Sequence, residues 1–170
     1  MKKTVFIILL IFACSKISMA QKESRFQAMF IYNFTKYISY PKSKQIGDFT
    51  IGVLGSSRII NAELERIAKV KKVGSQKIIL KKFASINDII ECHILYIPVK
   101  RTKDLEEVLK LLKGKATLIV TGKKDLTSKG ASISFSMKGK RLSFQICKKN
   151  IKKQNLKVLS ALLTLGNKKC

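Results

Sequence analysis

The stretch Phe49-Thr50-Ile51-Gly52-Val53-Leu54-Gly55-Ser56-Ser57 decides the fold. It is almost uninterruptedly apolar, with the turn-forming Ile46-Gly47-Asp48 ahead of it and two serines behind. A run without polar alternation reads as a strand buried on both faces, as in parallel sheets covered by helices. Ser56 or Ser57 then suits the N-cap of a following helix, where a hydroxyl oxygen accepts from an otherwise orphaned N–H.

Downstream the same grammar repeats. Residues 61–69 read as a helix with Leu64, Ile67 and Ala68 inward, Gly74 breaks the chain, and 77–83 is a second strand. A short helical turn at 86–90 leads to a third strand at 92–97, stopped by Pro98. From Thr102 or Lys103 to Leu112, apolar residues at 105, 108, 109 and 112 fit one helix face, and Gly114 suits its C-terminal turn. Residues 116–120 make the fourth strand. Three strand–crossover–strand units imply a doubly wound, mostly parallel sheet with helices on both faces, the crossovers right-handed.

Beyond residue 130 the period changes to two. Residues 131–136 and 141–147 alternate apolar with polar side chains, and Met137-Lys138-Gly139-Lys140 joins them as a hairpin turn would. This adds an antiparallel hairpin toward the C-terminal end. Residues 150–166 read as a closing helix, with Asn155 a candidate for the left-handed conformation that would split it. Upstream, 24–40 reads as the first helix, its stripe formed by Phe26, Met29, Phe30, Asn33, Phe34, Tyr37 and Ile38, with Pro41 ending it. Ala28, Ile31 and Tyr32 widen that stripe beyond one face, so the helix must be covered on most sides.

Residues 1–20 are set apart. Lys2-Lys3, an apolar run from Val5 to Ala13, and Ser18-Met19-Ala20 have the layout of a signal peptide cleaved before Gln21, leaving 21–170 as a single domain. A competing parse makes Cys14 a lipidated cysteine. The apolar run is too short to span a bilayer.

The chain carries 35 basic and 10 acidic residues, a formal +25. Without Lys2, Lys3 and Lys16 it keeps 25 − 3 = +22. A hydrophobic content of 46% excludes wholesale disorder. The lysines come as dispersed pairs, and the five arginines, Arg25, Arg58, Arg66, Arg101 and Arg141, are scattered. A nucleic-acid groove would want arginines and stacking aromatics on one stripe. A generally basic surface, or one that meets anionic lipid or an acidic partner, fits better. Cys92 and Cys147, both in strand contexts, either bridge adjacent strands or are buried small hydrophobes. Cys170, on a basic tail, reads as exposed and able to cross-link two chains in an oxidising compartment.

No catalytic constellation stands out, and no cofactor or metal is expected. Gly52-Val53-Leu54-Gly55 lacks the third glycine of a dinucleotide fingerprint, and no P-loop spacing occurs. The only histidine, His93, has no converging carboxylates or thiols for a metal and no nucleophile elbow for hydrolysis, so it reads as a core or strand-end residue. Glu63, Glu65, Glu106 and Glu107 belong to solvated helix faces. Asn33-Phe34-Thr35 is a glycosylation sequon inside an apolar helix. Ligands of open α/β sheets bind beyond the carboxyl ends of the strands, which points to Gly55, Ser56 and Ser57, and to Thr121 and Gly122, as a candidate ligand cleft.

Six collinear phrases resemble the YfiR-like family. They are FQAMFIYNFTKYISYP from Phe26 to Pro41, FTIGVLG from Phe49 to Gly55, CHILYI from Cys92 to Ile97, GASISF from Gly130 to Phe135, LSFQI from Leu142 to Ile146, and LKVLSALL from Leu156 to Leu163. Tyr40 stands where the family has Trp, Cys147 where it has Asn, and no second cysteine lies near the first strand to partner Cys92. The resemblance implies a periplasmic α/β protein that can dimerise and that inhibits an inner-membrane diguanylate cyclase by binding its periplasmic part. An OmpA-like outer-membrane lipoprotein would sequester the inhibitor. The expected function is thus regulation by stoichiometric protein–protein binding. A small-ligand sensor and a binder of nucleic acid or envelope polymer are the alternatives, with nucleic acid the less favoured partner.

Overall fold

The computed structural model describes residues 21–139 and 141–170. The expected signal peptide and the Cys14 alternative therefore lie outside the described residues. The first helix, α1, covers residues 21–34. It is followed by β1 (Ile38–Ser39), β2 (Phe49–Leu54), α2 (Arg58–Val70), β3 (Lys72–Val73), β4 (Gln76–Phe83) and β5 (Ile94–Ile97). Then come α3 (Leu105–Leu111), β6 (Leu118–Thr121), β7 (Ile133–Lys138), β8 (Arg141–Ile146), α4 (Lys148–Lys153), β9 (Lys157–Val158), α5 (Ser160–Leu165) and β10 (Asn167–Lys168).

The main sheet has the order β10-β8-β7-β6-β5-β2-β4-β3, and β1 pairs with β9 separately. Strands β4, β2, β5, β6 and β7 run parallel. Strand β8 returns antiparallel to β7. The apolar run Phe49–Leu54 forms β2, between β4 and β5.

Buried parallel strands divide their side chains between two cores. Phe49, Ile51 and Val53 of β2, Ile94 and Tyr96 of β5, and Leu118 and Val120 of β6 join Ala28, Ile31, Phe34, Ile60 and Leu64 on one face. Leu95, Ile97 and Ile119 join Leu105 and Val108 of α3, and Leu112 just after it, on the other. Gly52 faces this second core. A Cβ there would lie 2.6 Å from the Phe83 ring and 3.1 Å from Leu95, so the strand interior has room only for glycine.

Four expectations change at the element ends. The first helix stops at residue 34 instead of 40: Thr35, Lys36 and Tyr37 donate to carbonyls three residues back, and Ile38–Ser39 then pairs with Val158 and Lys157. Its inward stripe is Ala28, Ile31 and Phe34, while Phe26 and Met29 face out. The 86–90 segment is a turn, because the Asp88 carboxylate accepts from the Ser85 N–H and hydroxyl and so offers the backbone an alternative to helix. Ser57 occupies the N-cap position of α2 without a side-chain capping bond. Asn155 does adopt φ 56° and splits the closing segment into two helical pieces as expected, but a short strand, β9, separates α4 from α5.

Candidate functional site: an apolar groove beside the first helix

The carboxyl edge of the sheet is the first place to look for a ligand. Gly55, Ser56 and Ser57 follow β2, Thr121 and Gly122 end β6, and β5 lies between them. At Gly55 (φ +78°) the space where a side chain would begin is taken by the stem of Arg101, 3.0 Å away. Arg101 donates from Nη1 to the Ala84 carbonyl and from Nε to Asp104. The Thr121 hydroxyl lies 2.9 Å from Ser134 Oγ and 3.1 Å from the Lys123 carbonyl. Above Gly122 sit the Tyr96 hydroxyl and Val99. At the candidate cleft Arg101 and Thr121 already have hydrogen-bond partners, and Arg101 is the residue that sequence reasoning missed there.

His93 is held at the amino edge. Its Nδ1 accepts from the Thr50 N–H at 3.0 Å, which leaves the proton on Nε2, 2.7 Å from the Lys44 carbonyl. The ring stacks on Phe49 at 4.3 Å and meets Tyr40 edge-on. Burial lowers its pKa, and the neutral tautomer is the one both hydrogen bonds require. Beside it, burial pushes the Cys92 thiol up to about 12, which keeps it protonated and unreactive. Lys44 and Lys115 hold the Glu91 carboxyl below its usual range. No group of three or more His, Cys, Asp or Glu able to hold a metal occurs among the described residues.

The cysteines pair otherwise than expected. Cys147 is bonded to Cys170, their Cα atoms 5.3 Å apart, and Cys92 is free and buried. The reason is topological: β6 and β7 stand between the start of β5 and the end of β8. Three strand spacings amount to about 14 Å, twice the reach of a disulfide. The tail meanwhile runs parallel to β8, Asn167 beside Gln145 and Lys168 beside Ile146, which delivers Cys170 to Cys147.

An open apolar groove lies on the α1 face. A groove of about 340 Å³ is lined by Phe30, Asn33, Phe34, Lys36 and Tyr37, by Leu142, Ser143 and Phe144 of β8, and by Leu162 and Leu165 of α5. Its floor is an aromatic cluster in which Phe34 and Phe144 meet edge-on at 5.1 Å and Phe30 touches Phe34, Phe135 and Phe144. Gly166 lets the tail cross it, since a Cβ would stand 2.4 Å from the Phe144 ring. Next to the groove Phe26, Met29 and Leu165 are 40%, 48% and 65% exposed. On a helix, positions 26, 29, 30 and 33 fall within one stripe, so α1 buries one apolar side and displays another. The excess of apolar positions in 26–40 implied a helix covered on most sides; instead Phe26 and Met29 stay exposed, because the sheet and α2 pack only against the stripe of Ala28, Ile31 and Phe34.

Among the described residues, a mostly parallel α/β sheet with its helices leaves apolar side chains of α1 and α5 exposed beside an aromatic-floored groove. A sequence profile of the YfiR/HmsC-like family matches residues 24–167, and the chain belongs to that family. The family is one of periplasmic regulators, not of enzymes. None of the curated proteins compared with the chain matches it. Among the described residues no helix is long and apolar enough to cross a membrane.

Proposed function

We propose that this chain is an exported regulator that acts by stoichiometric binding to the periplasmic part of a membrane signalling protein, a diguanylate cyclase being the type its family suggests. The observation that carries the reading is the uncovered stripe of α1 with its groove: isolated surface apolar residues are ordinary, whereas a contiguous set beside an aromatic-floored groove marks an interaction face. Family membership supplies the class of partner. A regulator of this kind binds one conformation of its target and shifts the equilibrium toward it, which needs no chemistry of its own.

An outer-membrane OmpA-like lipoprotein competing for the same regulator, and a homodimer, are the further partners the family suggests. Occupation of the Gly55 crevice by Arg101 speaks against the small-ligand alternative. Affinity recovery of the protein from solubilised envelope, followed by mass spectrometry, tests the reading. The expected result is a membrane protein with a cytoplasmic cyclase or kinase output that survives a salt wash. Retention of nothing but nucleic acid or acidic polymer, released by salt, would contradict it.

A further inference from the structure

The acidic residues are unevenly placed: the last of the ten is Asp125, and residues 126–170 contain Arg141 and ten lysines with no acid at all. The densest part of this excess is α4. Lys148, Lys149, Lys152 and Lys153 are all exposed, while Asn150 and Ile151 between them are buried. The helix therefore turns a purely cationic side to solvent.

Two hydrogen-bonded asparagines tie other lysines to it. Asn150 Nδ2 donates to the carbonyls of Thr127 (2.7 Å) and Ala131 (2.8 Å), which brings the segment carrying exposed Lys129 against α4. Asn155 Nδ2 donates to the Gly114 carbonyl, next to exposed Lys113. None of these six lysines takes part in the ion pairs found among the described residues.

This arrangement works against folding. Lys148 with Lys152 and Lys149 with Lys153 are like charges one helical turn apart, and two cations occupy the first turn, where the helix dipole opposes them. Elsewhere the same chain neutralises its helix surfaces, with Glu106 and Lys110 paired in α3 and Glu63 with Arg66 in α2. A solvated face needs no such concentration of charge; a polyanion does.

We propose that the α4 face, with Lys113 and Lys129, docks on a membrane surface rich in anionic phospholipid. The chemistry favours lipid over the other polyanions. All six groups are ammonium ions, strongly hydrated point charges on flexible stems, suited to headgroups that move and have no fixed geometry. The patch has no arginine fork and no aromatic to stack a base. None of the exposed large apolar residues falls on α4 or on 127–131, so the apolar centre of a specific protein interface is missing.

The test is co-sedimentation with vesicles of phosphatidylglycerol and phosphatidylethanolamine, and with phosphatidylcholine vesicles, using the protein as the producing cell leaves it. Binding to the anionic vesicles alone, abolished near 1 M salt where screening acts within roughly 3 Å, is expected. The combined Lys148→Gln, Lys149→Gln, Lys152→Gln, Lys153→Gln variant should lose binding by about a hundredfold or more, given the contribution of each surface lysine. A variant with Lys71, Lys72, Lys77 and Lys81 changed to Gln, at the opposite end of the sheet, should keep most of it. A melting temperature of the α4 variant at or above that of the parent shows that it is folded. Equal losses in the two variants would overturn the proposal in favour of net charge alone. Equal binding to both vesicle types, or duplex DNA held tightly with no vesicle binding, would overturn it as well.

Discussion

His93 and Gly52 show how single residues fix the amino edge and centre of the sheet. Protonation of His93 would turn the Nδ1 acceptor into a donor facing the Thr50 N–H, so burial and geometry both favour the neutral ring. Its folded-state pKa lies below the ordinary 6.5. The contribution to stability is therefore complete above pH 6.5 and is lost as the pH falls from there through the lower folded value, because the unfolded chain takes up the proton first. Urea midpoints measured across that window should fall, and less so in His93→Gln; midpoints unchanged below pH 6.5 would refute the assignment. At Gly52 a methyl group would press on the Phe83 ring and on Leu95. Gly52→Ala is expected to cost about 2 kcal/mol, the scale of overpacking in a dense core, as read from urea denaturation.

At the scale of elements, the disulfide is the device that adds β10 to the sheet edge. Closing a loop across a sequence separation of 23 restricts the unfolded chain. Cys170→Ser should lower stability by about 3 kcal/mol in the chain-entropy account. An unchanged denaturation midpoint would show that the tail contributes nothing. The strands β2, β4, β5 and β6 and the β7–β8 hairpin were legible in sequence because each carries its own period, continuous for the buried parallel strands and alternating for the hairpin. The closing segment was not. Lys157–Val158 and Asn167–Lys168 are two-residue strands whose partners, Ile38–Ser39 and Gln145–Ile146, are remote in sequence, so nothing local announces them. The Cys147–Cys170 pairing was hidden for the same reason. The candidate cleft followed from a rule about strand ends, and the rule does not see that Arg101 folds back over Gly55. The groove was not legible: the apolar excess in 26–40 read as a helix covered on most sides, since the covered side and the open side of α1 look alike without the tertiary structure.

At the scale of the whole molecule, two surfaces stand out, one apolar around α1 and α5 and one cationic around α4. The first is the centre of the functional account. Met29 and Leu165 are largely solvent-exposed, so changing them to glutamate removes little packing and leaves the fold intact. The decisive measurement is recovery of the membrane partner from solubilised envelope by the wild type and by a Met29→Glu, Leu165→Glu variant, with melting temperatures recorded for both. The account predicts that the variant melts like the wild type and that recovery falls at least tenfold, because two carboxylates would be driven into a desolvated apolar interface. Undiminished recovery by a folded variant would contradict it and place the partner on another face.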